Sequence, residues 1–274
     1  MTVPNVYSWK GELTAVSSVM HGGESLGTVR YLRRERFLLD DGTVEDVPVL
    51  SGNMLRGILR RLSADLWWEA LGRPRMSMAV VNAIWSGGAL AKSTTDPLST
   101  VRLQQVREVC PVVGLFGAAG GGRIVEGTVQ VGKAVPVCRE TASLLRVPSD
   151  GLLSLWDLTQ IEYFSKAPGG PPDAVDGEVG ELSPMRFGVE SFITGSRFLW
   201  DVSTAWASPV ELSLWCDTLA AFCERGQVGG MSASGFGHVD VSLTPPADLP
   251  VLPDWRDALP SDVPQMARVL GRLD

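Results

Sequence analysis

At 274 residues and 45% hydrophobic content, the chain has enough apolar material for one large domain or two small ones, with a sizeable core. A formal charge of −7 argues against coating nucleic acid by bulk electrostatics, so any such contact must come from a local basic surface. No apolar run approaches the roughly 18 residues of a membrane span, and Met1 to Lys10 lacks the blocks of a secretory signal, so a cytoplasmic location and no membrane partner are expected.

In chain order, Tyr7 to Met20 alternates like a strand and runs into His21-Gly22-Gly23. Arg33 to Leu39 and Val44 to Leu50 are strand-like runs joined by Asp40-Asp41-Gly42-Thr43, where Asp-Gly predicts a hairpin. Ser51-Gly52-Asn53 then opens a helix with Leu55, Ile58, Leu59, Leu62 and Leu66 at helical spacing, closed by Gly72. A helix is expected over Leu98 to Val109, followed by Cys110-Pro111, the glycine-rich Gly114 to Gly122, and a strand over Gly127 to Val137. Between Lys166 and Ser183 the Pro/Gly content predicts an exposed, mobile excursion. Phe187 to Trp206 reads as strand, Val210 to Cys223 as amphipathic helix and Gly237 to Leu243 as strand, with a peripheral tail over 245–274 and a short helix near Gln265 to Leu270.

Stripped of insertions, this is strand, helix, strand, strand, helix, strand, the ferredoxin-like plan. The fold class expected is α+β: a single modified ferredoxin-like or RRM-like palm over 1–274, with insertions at about 22–50, 73–122 and 160–188 supplying a helical insertion and a thumb hairpin. The cysteines, Cys110, Cys138, Cys216 and Cys223, form no C-x-x-C pair and lie far from His21 and His238, so they read as buried free thiols; no metal or cofactor is expected.

Two constellations carry chemistry. Arg56, Arg60 and Arg61 lie on the first helix, with Arg56 and Arg60 one turn apart. Ser51 and Asn53 sit at its start, where free N–H groups and the dipole favour a phosphate. Solvated arginines on an ordinary capped helix explain this equally well, but Arg30, Arg33, Arg34 and Arg36 just upstream concentrate the charge and point to an anionic partner. The second is Gly226 to Gly237, in which Gly229, Gly230, Met231, Ser232 and Ser234 offer close backbone approach and hydroxyl donors. A helix cap followed by a bulged turn accounts for this loop as readily, and no Gly-Lys-Ser/Thr makes it a Walker loop.

The run Val49 to Arg60, with Leu115-Phe116-Gly117 ahead of a Val-rich strand, Gly188 to Trp200 and the glycine loop, resembles the RAMP superfamily, and within it the Cas-seven-like subunits that polymerise along CRISPR RNA. The resemblance implies a crRNA-binding backbone subunit that assembles with further copies of itself, a large subunit and a guide-end-capping subunit, and that presents the guide to complementary target nucleic acid. It implies guide contacts at His21, Arg56 and Arg60. It also implies a thumb between Tyr163 and Phe187, where Tyr163, Phe164, Met185 and Phe187 would wedge between bases and Lys166 and Arg186 would bind phosphates, unless those aromatics are core.

Cleaving relatives carry an aspartate in the loop after the first strand, where this chain has Arg30; guanidinium is a poor base, so no catalytic residue is expected and the chain looks more like the type IV subunit than the type III one. Glu24, Asp40 and Asp41 keep open a type III-like subunit that cuts target RNA, and His21 a guide-processing nuclease without an evident partner. An acidic assembly protein that binds no RNA is a further alternative.

Overall fold

The computed structural model describes residues 5–88, 99–120, 123–166, 185–260 and 263–271. The first strand, β1 (Val6–Ala15), alternates strictly: Trp9, Gly11, Leu13 and Ala15 are buried while Ser8 and Lys10 are exposed. Chain order continues with β2 (Gly22–Leu26), β3 (Val29–Leu32), β4 (Arg34–Leu38) and β5 (Val44–Pro48), then α1 (Gly52–Ala70), α2 (Met78–Val81) and a π-helical turn, Asn82–Ser86. Next come α3 (Thr100–Val109), α4 (Pro111–Phe116), β6 (Ala118–Gly120), β7 (Arg123–Val125), β8 (Val129–Val131), β9 (Val135–Pro136) and α5 (Ala142–Leu145). The remainder is β10 (Thr159–Lys166), β11 (Met185–Phe192), β12 (Arg197–Ala205), α6 (Pro209–Arg225), β13 (Val239–Thr244) and α7 (Val263–Leu270). The protein is an α+β fold.

Its main sheet runs β13-β1-β12-β8, with β9 also pairing β12, and every neighbour is antiparallel. Helices α1 and α6 pack on each other, and the core joins them to the sheet through Trp9 against Trp215 at 6.2 Å and Trp200 against Phe222 at 5.5 Å, both edge-on. The opposite face carries Lys10, Glu12, Arg197, Asp201 and Asp240, and none of its residues from β1, β12 or β13 is an aromatic that could stack on a base. RNA-recognition modules bind through such aromatics on the open sheet face.

Local chemistry explains the two main helices. Ser51 caps α1, its hydroxyl accepting from the Met54 N–H at 3.3 Å, and Gly72 at φ 75 follows its end. α6 opens with a capping box between Ser208 and Glu211 plus Pro209 in its first turn, and Gly226 at φ 51 closes it. Buried Glu211 also accepts two bonds from Arg107 of α3 at 2.9 Å each, and its carboxylate fills the space where a side chain at Gly114 would stand. The start of the segment read as glycine-rich loop, Gly114 to Phe116, is therefore the end of α4, where only glycine fits at position 114.

A second sheet, β10-β11-β3-β2, holds the long hairpin: β10 and β11 are antiparallel from Thr159↔Phe192 to Lys166↔Met185, and β11 runs parallel to β3 through Gly188↔Val29 and Val189↔Arg30. The stretch expected as strand over Phe187 to Trp206 is therefore two strands in different sheets. Gly195, at φ 87, turns the chain between them. β4 and β5 make a separate two-stranded ribbon whose turn is tied by Asp41, which accepts from the Thr43 N–H at 2.9 Å and hydroxyl at 2.6 Å. The excursion expected between Lys166 and Ser183 falls largely outside the described residues, as do parts of the insertion over 73–122.

Candidate nucleic-acid interface

Three chain segments distant in sequence converge around His21. The His21 Nε2 lies 2.9 Å from the Ser51 hydroxyl, so the end of the first-strand segment is joined to the N-terminus of α1, and the His21 carbonyl accepts from the Arg33 N–H at 2.8 Å. Arg30 and Arg33 are exposed beside it. The glycine loop reaches the same place from the other side, with the Gly230 N–H donating to the Met20 carbonyl at 2.8 Å and the Gly237 N–H to that of Ser18 at 2.8 Å. Gly229, at φ 74, faces the Met20 carbonyl too closely for any side chain. Arg30, Met231 and Phe187 line one pocket, so the arginine strip, the glycine loop and the hairpin base form a continuous surface.

Burial is the main force holding the His21 imidazole below its ordinary range, helped by the positive charges of Arg33 and Arg30 and opposed by Glu35. The folded chain thus takes up this proton less readily than the unfolded chain. Its contribution to stability is full above the unfolded value of about 6.5 and falls as the pH drops below it towards the folded value. Urea midpoints measured across that window are expected to fall more steeply for wild type than for His21→Gln; parallel curves would contradict this environment.

The other predicted contacts divide. Asn53 and Arg61 are exposed on α1, and Ser232 and Ser234 are exposed in a 3-10 turn of the glycine loop. Arg34 is committed: its guanidinium makes a bidentate pair with Glu190, Nη1 to Oε2 at 2.8 Å and Nη2 to Oε1 at 2.5 Å. Arg56 is half-buried and donates to the Phe116 carbonyl.

Arg60 corrects the sequence reading. It is only 5% exposed and donates to the carbonyls of Phe116, Ala83 at 3.3 Å and Ile84 at 3.4 Å, with its guanidinium 5.5 Å from the Phe116 ring centre. Desolvation, with the neighbouring Arg56 charge, pushes its pKa down to about 10, so it remains protonated near neutrality. It holds α4 and the π-helical turn against α1 rather than facing solvent.

The hairpin aromatics also split. Phe164 and Phe187 stack at 5.5 Å and, with Met231, pack partly buried against a small second core of Met20, Val189 and Phe236, so both expected wedges are also packing residues. Tyr163 and Met185 are 55% and 62% exposed, and Arg186 lies 4.4 Å from the Tyr163 ring centre. Lys166 pairs with Met185 at the last described rung of the hairpin. Sequence reasoning missed Lys133, which pairs with Glu35 and lies 5.2 Å from the Phe37 ring centre, near Arg33. Its place between β8 and β9, far along the chain from the arginine strip, gave no signal.

Glu24 is exposed on β2, and Asp40 and Asp41 sit at the turn of the β4–β5 ribbon. Among the described residues no group of three or more His, Cys, Asp or Glu side chains is placed to hold a metal ion. The four cysteines form no disulfide, and burial raises Cys110 to about 12 and Cys216 to about 11, so both are thiols at neutral pH. No helix among the described residues is long and apolar enough to cross a membrane.

No protein-family model matches the chain, and no curated protein does. Among solved structures, a chain of one named Type IV-B CRISPR Complex superposes with a TM-score of 0.66 at 24% sequence identity, over 93% of this chain and 100% of that one. The protein therefore has the fold of a chain found in a type IV-B CRISPR complex.

Proposed function

We propose that this protein is an RNA-binding backbone subunit of a CRISPR effector ribonucleoprotein: it lines up in repeated copies along a guide RNA and does not itself cut the target. The observation that carries the reading is the likeness, end to end, to a chain of a type IV-B CRISPR complex. The main sheet supports it. We read its order, with β1 and β12 central, β13 beside β1, and β8 with β9 beside β12, as a ferredoxin-like palm, with the second sheet and hairpin as additions to it. The exposed Arg30 and Arg33, with the exposed Ser232 and Ser234 of the glycine loop, supply donors for RNA phosphates.

On this reading the partners are crRNA, further copies of the chain, other effector subunits and the complementary target. Protein purified from its host is expected to carry RNA, visible as a raised ratio of absorbance at nucleic-acid over protein wavelengths, and the extracted RNA to contain repeat-derived sequence. RNA-free particles would favour an acidic assembly protein. Particles given labelled complementary RNA with magnesium or manganese are expected to retain it uncut; regularly spaced products lost in Glu24→Ala would move the protein to the enzyme class.

A further inference from the structure

The most exposed aromatic side chain is not on the surface described above. Trp156 is 86% exposed, although its neighbours hold it in a fixed loop. The Ser154 hydroxyl donates to Asp157 Oδ2 at 2.6 Å, the Leu155 N–H to Glu140 Oε2 at 2.9 Å and the Leu158 N–H to the Ser154 carbonyl at 3.1 Å. A single exposed ring is ordinary on a protein surface; what distinguishes Trp156 is the cleft it borders.

Trp156 forms one wall of a cleft of about 600 Å³, shared with Tyr31, Ile161, Gln160 and the Arg34–Glu190 pair. The apolar walls suit the faces of a planar ring; the Gln160 amide nitrogen donates to Glu162 at 2.9 Å and Ser18 at 3.4 Å, which leaves its carbonyl oxygen as the acceptor. Arg34 is held by Glu190 at 2.8 and 2.5 Å and lies 3.5 Å from the Leu32 carbonyl, so it shapes the cleft wall rather than donating to the ring. The neighbouring cleft, lined by Gly22, Gly23, Arg33, Glu24 and Asp46, shares Tyr31 and Arg34 with the first. A cation-bearing groove adjoining an aromatic slot is how single strands are held without sequence preference. The two acids in the groove keep it from being uniformly positive, so stacking has to supply much of the affinity.

We infer that the Trp156–Tyr31 cleft is a stacking subsite for a single unpaired nucleobase of a bound RNA strand whose backbone passes along the Arg33 groove. The inference rests on the RNA-binding reading above and adds a site to it.

The test uses the full chain and a fluorescein-labelled single-stranded oligouridine, with a second oligonucleotide carrying 5-bromouridine for photocrosslinking. Trp156→Ala is expected to weaken binding roughly tenfold, by a factor little changed between low and high salt, because a lost stacking contact releases no counterions. Trp156→Phe is expected to keep most of the affinity, and the wild-type crosslink to map to the peptide containing Trp156. Wild-type binding with unaltered affinity in Trp156→Ala, and no crosslink at that peptide, would overturn the subsite while leaving the RNA-binding reading intact. Failure of the wild type to bind any oligonucleotide would overturn both. Loss of self-association in Trp156→Ala without RNA, at unchanged RNA affinity, would also overturn it and assign the cleft to a neighbouring copy.

Discussion

Replacing Arg60 with alanine is expected to destabilise the fold by about 3 kcal/mol, since hydrogen bonds from a charged donor contribute roughly 1.5–3 kcal/mol each and do not add fully. Three carbonyls share this guanidinium, and that of Phe116 also accepts from Arg56. Arg60→Lys is expected to fall between wild type and alanine, because a single ammonium cannot span the carbonyls that a planar fork reaches. Urea unfolding followed by tryptophan fluorescence measures both. A loss under about 1 kcal/mol would mean the guanidinium is not holding α4 and the π-helical turn. The same variant separates this role from RNA contact: its folded fraction is expected to bind RNA with an unchanged salt slope, whereas removal of a phosphate contact flattens it.

Glu190→Ala is the second large effect, expected to cost about 3 kcal/mol, at the lower end for breaking a buried pair because Arg34 keeps some contact with water. Glu190 is 6% exposed, lies on β11, and accepts from the Leu32 N–H at 2.8 Å as well as from Arg34, so one carboxylate joins β11 to β3 and β4. The loss is expected to be local. Hydrogen exchange of the amides from Val29 to Leu38 should accelerate well before those of β1 and β12. Glu190→Gln, which retains an acceptor but not the charge, should show a smaller acceleration. Uniform exchange across both sheets in the alanine variant would contradict this assignment.

How much was legible in the sequence follows from where each signal is generated. The β4–β5 turn at Asp40-Asp41-Gly42-Thr43 and the α1 boundaries at Ser51 and Gly72 were readable because turn and cap chemistry is local. The order of strands and helices in the main sheet followed from periodicity. α4 was not readable, because what places its glycine against a helix is Glu211, nearly a hundred positions along the chain. The single strand expected over Gly127 to Val137 became β8 and β9: the Gly132 N–H still bonds the Asp201 carbonyl on β12, but Ala134 pairs with Leu50 before β9 rejoins β12.

The candidate site was half legible for the same reason. Spacing placed Arg56 and Arg60 on one face of α1, but an arginine face looks the same in sequence whether water or a ring of carbonyls lies opposite. His21 and Ser51 were each singled out, yet the bond between them depends on a loop of thirty residues closing on itself. The Trp156 cleft gave no pattern at all, since its walls come from three separate segments.

The parallel contact between β11 and β3 has a mechanical consequence. It spans only Gly188↔Val29 and Val189↔Arg30, and at Gly188 the space is already filled by Tyr163, Val29 and Ile161. So short a ladder resists shear weakly, and the Glu190–Arg34 bond beside it takes the rest of the load. A sideways force on the hairpin is carried as well by the paired bonds between Phe192 and Val19 and by the Phe192 ring, 4.8 Å from that of Phe198 on β12. Through the one strand β11 the hairpin is thus coupled both to the strand bearing Arg30 and to the main sheet.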